Sequence, residues 1–171
     1  MTKNKFRIRN ATTDASRPSK KAKIDLVPIV FIRLVNSKSA RTLKTLCDSG
    51  AGGCLITENY VKGIPVRSQS DTSWNTMAGT FQTNGTASVT FRLEELNETA
   101  KINHKFHIAK SLGNYDAIIG RDLLSELGII IDFKNSTLEW NDNNIPMRES
   151  SCTYTDSYAI DDPPGVEEMV S

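Results

Sequence analysis

The middle of the chain consists of short segments rich in β-branched and aromatic residues, and this pattern limits the possible folds more than any other feature. Segment 28–35 is almost entirely apolar, whereas 41–46 alternates polar and apolar residues at the period of a half-buried strand. Clusters of turn-forming residues separate the segments. Further strands are predicted at 76–82, 87–93, 106–109, 117–119, 129–133 and 137–140.

Two turn signals predict hairpins within this series of strands. The sequence Thr-Asn-Gly-Thr at 83–86 is expected to connect 76–82 to 87–93, since Asn-Gly is a common two-residue hairpin turn. Residues 134–136 are expected to connect the last two strands in the same way. Two hairpins are therefore predicted among these strands.

One segment of the middle region has the pattern of a helix. In Asp122–Leu127, the apolar side chains of Leu123, Leu124 and Leu127 form a stripe, and Gly128 is placed to end the helix. Many short strands with one short C-terminal helix predict an all-β, or mainly β, fold.

Charge divides the chain into three parts. Residues 1–23 carry eight bases and one acid, 149–171 carry six acids and no base, and 24–148 have no net charge. Both ends are poor in large apolar residues, so we expect a flexible basic arm, a folded domain and a flexible acidic tail. The basic arm could contact nucleic acid weakly, although a solvated linker is favoured because stacking aromatic residues are scarce there.

The sequence argues against a membrane protein and a secreted protein. The longest apolar stretch, Leu26–Ile32, is interrupted by Pro28 and is too short to cross a bilayer. The N-terminal region is basic and polar and lacks the apolar core of a signal peptide. We therefore expect no membrane association and an intracellular, non-secreted protein.

The cysteines and histidines do not suggest a metal or disulfide framework. Cys47, Cys54 and Cys152 form no Cys-x-x-Cys pair and cannot all pair internally. His104 and His107 would point to opposite faces of a strand, with no second ligand pair nearby in the sequence. No metal and no cofactor are therefore expected.

The segment Leu46–Ala51 carries the most chemistry. A strand leads into Asp48-Ser49-Gly50, and an apolar strand leads out at 54–56. The tripeptide alone is also typical of an ordinary turn. Because strands hold the loop on both sides, however, its carboxylate would be partly desolvated and its pKa open to tuning.

These residues resemble the active-site loop of retropepsins, the aspartic proteases of retroviruses and LTR retrotransposons, with gypsy-like elements most similar. The resemblance covers most of 26–140. Residues 27–34 are similar to the first inner strand, 43–51 to the strand that ends in Asp-Thr/Ser-Gly-Ala, and 117–124 to the Gly-Arg-Asn/Asp-Leu segment that enters the helix. Residues 74–81 occupy the place of the flap hairpin.

The resemblance implies a closed β-barrel, or acid-protease half-lobe, that is active as a homodimer. Two carboxylates sharing one proton can activate water and protonate the peptide without a metal or cofactor. This chain has one Asp-Ser-Gly and is too short for a second lobe, so the second Asp48 would come from a second copy. The expected activity is that of an aspartic endopeptidase, acting on a retrotransposon polyprotein in the cytoplasm or within a virus-like particle.

The resemblance also assigns roles to individual residues. Catalysis would involve Asp48, with the Ser49 hydroxyl bonding across the dimer axis and Gly50 permitting the tight backbone. Substrate would contact the backbone of Ala51 and Gly52 and, at the flap tip, Ala78, Gly79 and Thr80. Gly120 would let its strand pass beneath the loop, and Arg121 and Asp122 would be structural neighbours of the site.

The sequence departs from retropepsins at Gly52, where many members carry an aspartate that pairs with the helix arginine. The partner of Arg121 is therefore open between Asp122, Asp25 and a carboxylate of a second subunit. Two other functional interpretations are also kept open. The chain could be an inactive, domesticated module for dimerisation or peptide binding, or a nucleic-acid-binding protein that acts through its basic arm.

Overall fold

The computed structural model describes residues 24–38 and 42–154, and within these ranges the protein is mainly β with one short helix, as predicted. The expected basic arm, 1–23, lies outside the described residues. In chain order, the elements are β1 (Leu26–Val27), β2 (Ile29–Leu34), β3 (Thr42–Asp48), β4 (Cys54–Thr57), a 3₁₀ turn (Glu58–Tyr60), β5 (Val66–Thr76), β6 (Gly79–Arg92), β7 (Ile102–Ala109), β8 (Ala117–Gly120), α1 (Arg121–Leu127), β9 (Ile130–Asp132), β10 (Thr137–Trp140), β11 (Asn143–Pro146) and β12 (Arg148–Glu149).

Seven strands form the main sheet, in the order β2-β3-β8-β4-β7-β6-β5. β2 also pairs with β6, with Leu34 opposite Phe91, so the six strands from β2 to β6 in this order form a closed ring. The sheet therefore closes into a barrel, which confirms the predicted architecture, and β5 lies outside the closed ring.

The inner strands are buried on both faces, which explains the scarcity of polar residues in 28–35. Alternate residues of β2 enter two different apolar clusters, with Val30 and Ile32 in the larger cluster and Ile29 and Phe31 in the smaller. A strand with two buried faces loses the polar–apolar alternation of a surface strand.

The predicted turn at 83–86 is wrong, because β6 runs straight through it. The actual hairpin turn is Met77–Ala78, with Thr76 paired to Gly79. Residues 83–86 instead coincide with a register shift against β7, as in a β-bulge. A Cβ at Gly85 would lie 3.1 Å from the carbonyl oxygen of Arg67, so this glycine permits close strand packing rather than a turn.

Beyond the barrel, the helix ends as predicted and a small three-stranded sheet follows. Gly128 has the left-handed conformation, φ 73°, that commonly ends a helix. The predicted hairpin of β9 and β10 is present, and β10 also pairs with β11, which the sequence did not predict. The turn between β10 and β11 uses Asn141 and Asp142 at positive φ, as two-residue hairpins require.

The packed part of the chain extends past 148, where the charge pattern placed the start of a tail. Glu149 pairs with Leu26 across the short β12–β1 sheet. The ring of Tyr154 lies edge-on to Phe31, with centroids 5.5 Å apart. The rest of the expected acidic tail lies outside the described residues. Among the residues that are described, no helix has the length and apolar character needed to cross a bilayer.

A buried ion pair between Arg148 and Glu95 is expected to stabilise this end of the domain, and substitution of Arg148 tests this. Arg148 bonds the carboxylate of Glu95, which also accepts the backbone N–H of Phe31 at 2.7 Å. Replacing Arg148 with alanine leaves the Glu95 charge, 7% exposed, without its cation. We expect a loss of roughly 3–5 kcal/mol in the free energy of unfolding, measured by urea denaturation.

The matched control is Arg33→Ala, which removes an ion pair with the neighbouring Glu94. These side chains are 46% and 36% exposed, so the loss should stay below about 1 kcal/mol. Equal losses in the two variants would contradict the assignment of Arg148 as a structural residue.

Candidate active site

The Asp-Ser-Gly loop, residues 49–53 with the preceding Asp48, connects β3 to β4 above a third strand. β8 pairs with β3 in parallel, placing Asp48 opposite Gly120, and pairs with β4 in the antiparallel sense. The loop is therefore held at both ends by strands that share one neighbour.

Glycine at 120 is a steric requirement of this arrangement. A Cβ there would lie 2.3 Å from the carbonyl oxygen of Gly53 and 2.8 Å from that of Ala51. The next residue, Arg121, donates its N–H to the Ala51 carbonyl at 2.7 Å. The end of β8 thus passes directly beneath the loop.

The carboxylate of Asp48 is fully buried and accepts two backbone hydrogen bonds. Its Oδ1 accepts the N–H of Gly50 at 2.8 Å, and its Oδ2 accepts the N–H of Met77 at 2.7 Å. The first bond forms within the loop, and the second comes from the tip of the β5–β6 hairpin. Both oxygens therefore have donors even though the group is removed from water.

This β5–β6 hairpin is a flap that folds over the loop. Its tip is Met77–Ala78, and the hydroxyl of Thr76 braces the turn by accepting from Ala78 N–H and donating to the Gly79 carbonyl. Met77, whose N–H reaches Asp48, was absent from the residues proposed from sequence. A Met carries no turn or polar signal, so its place at the tip depends on the register of the hairpin.

Trp74 packs the flap against the barrel. Its ring lies against His107 with centroids 4.5 Å apart, and its Nε1–H donates to the hydroxyl of Thr83 at 2.8 Å. A Cβ at Gly53 would lie 2.9 Å from the Trp74 ring, so the loop needs glycine there too. Burial lowers the pKa of His107, the nearby charge of Lys105 lowers it further, and a carboxylate partly offsets both.

The residues predicted to contact substrate lie at the loop and flap, but they are not equivalent. Ala51 is buried and shares an apolar cluster with Ala78. Gly52 is exposed. Gly79 and Thr80 are exposed and lie one and two positions beyond the two-residue tip.

Comparison with known proteins matches residues 16–132, more than half of the chain, to the family described as retroviral aspartyl protease. This chain belongs to the retroviral aspartyl protease family. None of the curated proteins compared with it matches.

Two solved structures are similar to this family member. The retroviral protease-like domain of Ddi1 from Leishmania major is 19% identical, with a TM-score of 0.56, and the match covers 75% of this chain and 99% of that one. The EIAV protease complexed with the inhibitor HBY-793 is 22% identical, with a TM-score of 0.43, over 62% of this chain and 92% of that one. The first similarity supports the retropepsin-like fold.

Two exposed polar side chains at the site have no partner among the residues that the structure describes. Arg121 is exposed and forms no ion pair with any described residue, so neither Asp25 nor Asp122 fills that role here. The hydroxyl of Ser49 is likewise exposed, and the described part of the chain offers it no hydrogen bond. Both groups are open to a second molecule.

Asp122 instead bonds inward, behind the loop. Its carboxylate accepts from Cys54 Sγ at 3.3 Å and bonds His104 Nε2 at 2.7 Å. Burial alone would raise the pKa of Asp122, but hydrogen bonds from His104, the Leu123 N–H and Cys54 hold it below its ordinary value. Burial strongly raises the pKa of the Cys54 thiol, so the sulfur is protonated in this network.

Because β8 approaches the loop closely at Gly120, substitution by alanine should destabilise the protein at one glycine of the site and not at another. Gly120→Ala must displace the Gly53 backbone, so we expect it to lower the free energy of unfolding by roughly 3 kcal/mol. Gly52→Ala meets no atom within 4 Å and should fold normally. Thermal melts of both variants test this, and a Gly120→Ala protein as stable as the wild type would contradict the close contact of β8 with the loop.

Proposed function

We propose that this protein is an aspartic endopeptidase in which two copies each contribute Asp48 to one catalytic dyad. The observation that carries the proposal is the Asp48 carboxylate, buried at the end of β3 and flanked by a flap, in a member of the retroviral aspartyl protease family. The family supplies the reaction class, and this geometry supplies a residue suited to it.

A dimer is supported because one chain contains only one of the two carboxylates that the reaction needs. Each chain contains one Asp-Ser-Gly loop, and a lone carboxylate cannot serve as both acid and base in the same step. The exposed Ser49 hydroxyl and Arg121 guanidinium provide groups for a second copy to bind. A symmetric C2 contact would bring the two Asp48 loops together at the axis.

In such a dyad, two neighbouring carboxylates share one proton because like charges at close range resist simultaneous ionisation. The ionised Asp48 accepts a proton from water as the water attacks the peptide carbonyl carbon. The protonated Asp48 of the second copy donates its proton to the carbonyl oxygen, which gives a tetrahedral diol. The first Asp48 then passes the proton taken from water to the leaving nitrogen as the C–N bond breaks, and a diol proton returns to the second Asp48. Ser49 and Gly50 hold the two loops in register during these steps.

The flap must move before this chemistry can take place. In the single subunit, Met77 N–H occupies Asp48 Oδ2, and the apolar side chains of Trp74, Ala78 and Phe81 pack on the barrel. A bound peptide would replace these contacts, and the closed flap would then exclude water from the reacting bond.

The substrate we propose is a retrotransposon polyprotein, and the location is intracellular, in the cytoplasm or within a virus-like particle. Support comes from the resemblance to gypsy-like elements together with family membership. The weak nucleic-acid contact proposed for 1–23 involves residues outside the described ranges.

Asp48→Asn tests the catalytic assignment. The amide keeps the size of the side chain but cannot titrate, so peptide hydrolysis should fall about a thousandfold or more. A transition-state analogue with a central hydroxyl should also bind the variant far more weakly than the wild type. Cleavage of a peptide library, at mildly acidic pH where the dyad retains one proton, provides the measurement.

The matched control is Asp142→Asn, on the exposed β10–β11 turn, where asparagine also tolerates positive φ. Its cleavage rate should equal that of the wild type. Normal cleavage by Asp48→Asn would reject Asp48 as the catalytic residue and, with it, the aspartic-protease mechanism. A wild type that dimerises and binds peptides but never cleaves them would support the inactive-module interpretation.

The shared dyad also predicts that activity depends on concentration. Dilution should lower specific activity in step with the loss of dimer measured by analytical ultracentrifugation, because each monomer holds half of the site. Full specific activity in samples that sediment as monomer would exclude the two-chain dyad while leaving the role of Asp48 open.

A further inference from the structure

Three side chains of types that can bind a metal ion meet behind the Asp-Ser-Gly loop. They come from parts of the chain that are far apart in sequence. Cys54 lies at the start of β4, His104 in β7 and Asp122 in the first turn of α1. One ligand atom from each lies within 4.8 Å of the others. Cys54 Sγ is 3.3 Å from one Asp122 oxygen, and His104 Nε2 is 2.7 Å from the other.

The chemistry of this set fits Zn²⁺. Zinc binds thiolate sulfur, imidazole nitrogen and carboxylate oxygen in tetrahedral sites, and sites with three protein ligands take water as the fourth. The thiolate selects against Mg²⁺ and Ca²⁺, which prefer oxygen ligands.

The surroundings of the cluster also match a metal site. His104 Nδ1 faces Glu126 Oε2 at 3.5 Å, and a carboxylate on the second nitrogen is the usual means of orienting a ligating histidine. The backbone N–H of Gly120 points at Cys54 Sγ at 3.4 Å, which would stabilise a thiolate. Cys54 is buried, whereas the Asp122 side chain is 35% exposed, which provides an entry path and a position for water.

We propose that Cys54, His104 and Asp122 bind one zinc ion, with water as fourth ligand and Glu126 orienting His104. On binding, the thiol proton of Cys54 passes to solvent, and the His104 proton must lie on Nδ1, toward Glu126, so that Nε2 is free for the ion. The ion would be structural, joining β4, β7 and α1 directly behind the loop that carries Asp48. The proposal does not depend on peptidase activity.

The spacing of the two histidines in the sequence gives no sign of this site. The structure separates them, with His107 against the flap and His104 against α1. Within residues 24–38 and 42–154, no other three such side chains lie this close together.

Cobalt(II) is the probe, because it replaces zinc in such sites and gives a thiolate-to-metal charge-transfer absorption band. Metal-free, reduced full-length protein is titrated with Co²⁺, and Zn²⁺ is then added in competition. We expect a band that saturates at one equivalent, disappears on addition of Zn²⁺ and is lost in Cys54→Ser. The matched control Cys47→Ala removes another buried cysteine and should keep the band.

Thermal melting gives a second readout. Zn²⁺ at a hundredfold excess over its dissociation constant should raise the melting temperature of the wild type by roughly 5–10 °C. Asp122→Asn keeps a hydrogen-bonding partner for His104 but loses the carboxylate, so its affinity for cobalt should fall at least tenfold. This variant serves as the ligand test if Cys54→Ser fails to fold.

Absence of a cobalt–thiolate band in the folded wild type would overturn the proposal, leaving the cluster as a hydrogen-bond network alone. A band unchanged in both Cys54→Ser and Asp122→Asn would overturn it as well, because another thiol would then be the ligand.

Discussion

The passage of β8 beneath the Asp-Ser-Gly loop is the contact on which the rest of the site depends. The Gly120 backbone lies so close to the Gly53 and Ala51 carbonyls that no side chain fits between them. The Arg121 N–H then bonds the Ala51 carbonyl as the helix begins. Because helix α1 starts at this contact, the positions of the loop and of the helix side chains are set together.

Burial of Asp48 explains the closed flap in the single subunit. A carboxylate without water is costly unless hydrogen-bond donors surround it. One donor, Gly50 N–H, comes from the loop, and the other, Met77 N–H, comes from the flap. In the proposed dimer, the second carboxylate, water and substrate would compete with Met77 for the same oxygen. In the single chain, the Met77 N–H therefore satisfies Asp48 but occupies the oxygen that the proposed dyad would need.

The same loop is supported from behind by polar groups that the proposed reaction does not use. Cys54 immediately follows the loop, and Asp122 immediately follows Gly120 and Arg121, which contact the loop from below. His104 joins them from β7. Whether these atoms share protons or a metal ion, they connect the helix to the strand that leaves the loop, so changes there should reach the geometry around Asp48.

Errors in the sequence-based predictions have identifiable physical causes. The Asn-Gly signal within 83–86 was strong locally, but the strands on either side were long enough to absorb it as a bulge, and Gly85 serves a close approach to β5 instead. The charge pattern marks a change of composition after 148, whereas contacts such as the pairing of Glu149 with Leu26 depend on the tertiary structure.

Local signals in the sequence were enough to predict the mainly β class and the short helix and to single out the candidate catalytic loop. Strand periodicity, the glycine after the helix and the order of Asp-Ser-Gly and Gly-Arg-Asp are local signals. The donors that reach Asp48 and the residues that meet behind it depend instead on contacts that form only in the folded chain. Cys54 and Asp122 are 68 positions apart, and His104 and Asp122 are 18 apart. Such contacts depend on the register of several strands at once, and a one-residue slip turns each side chain to the opposite face.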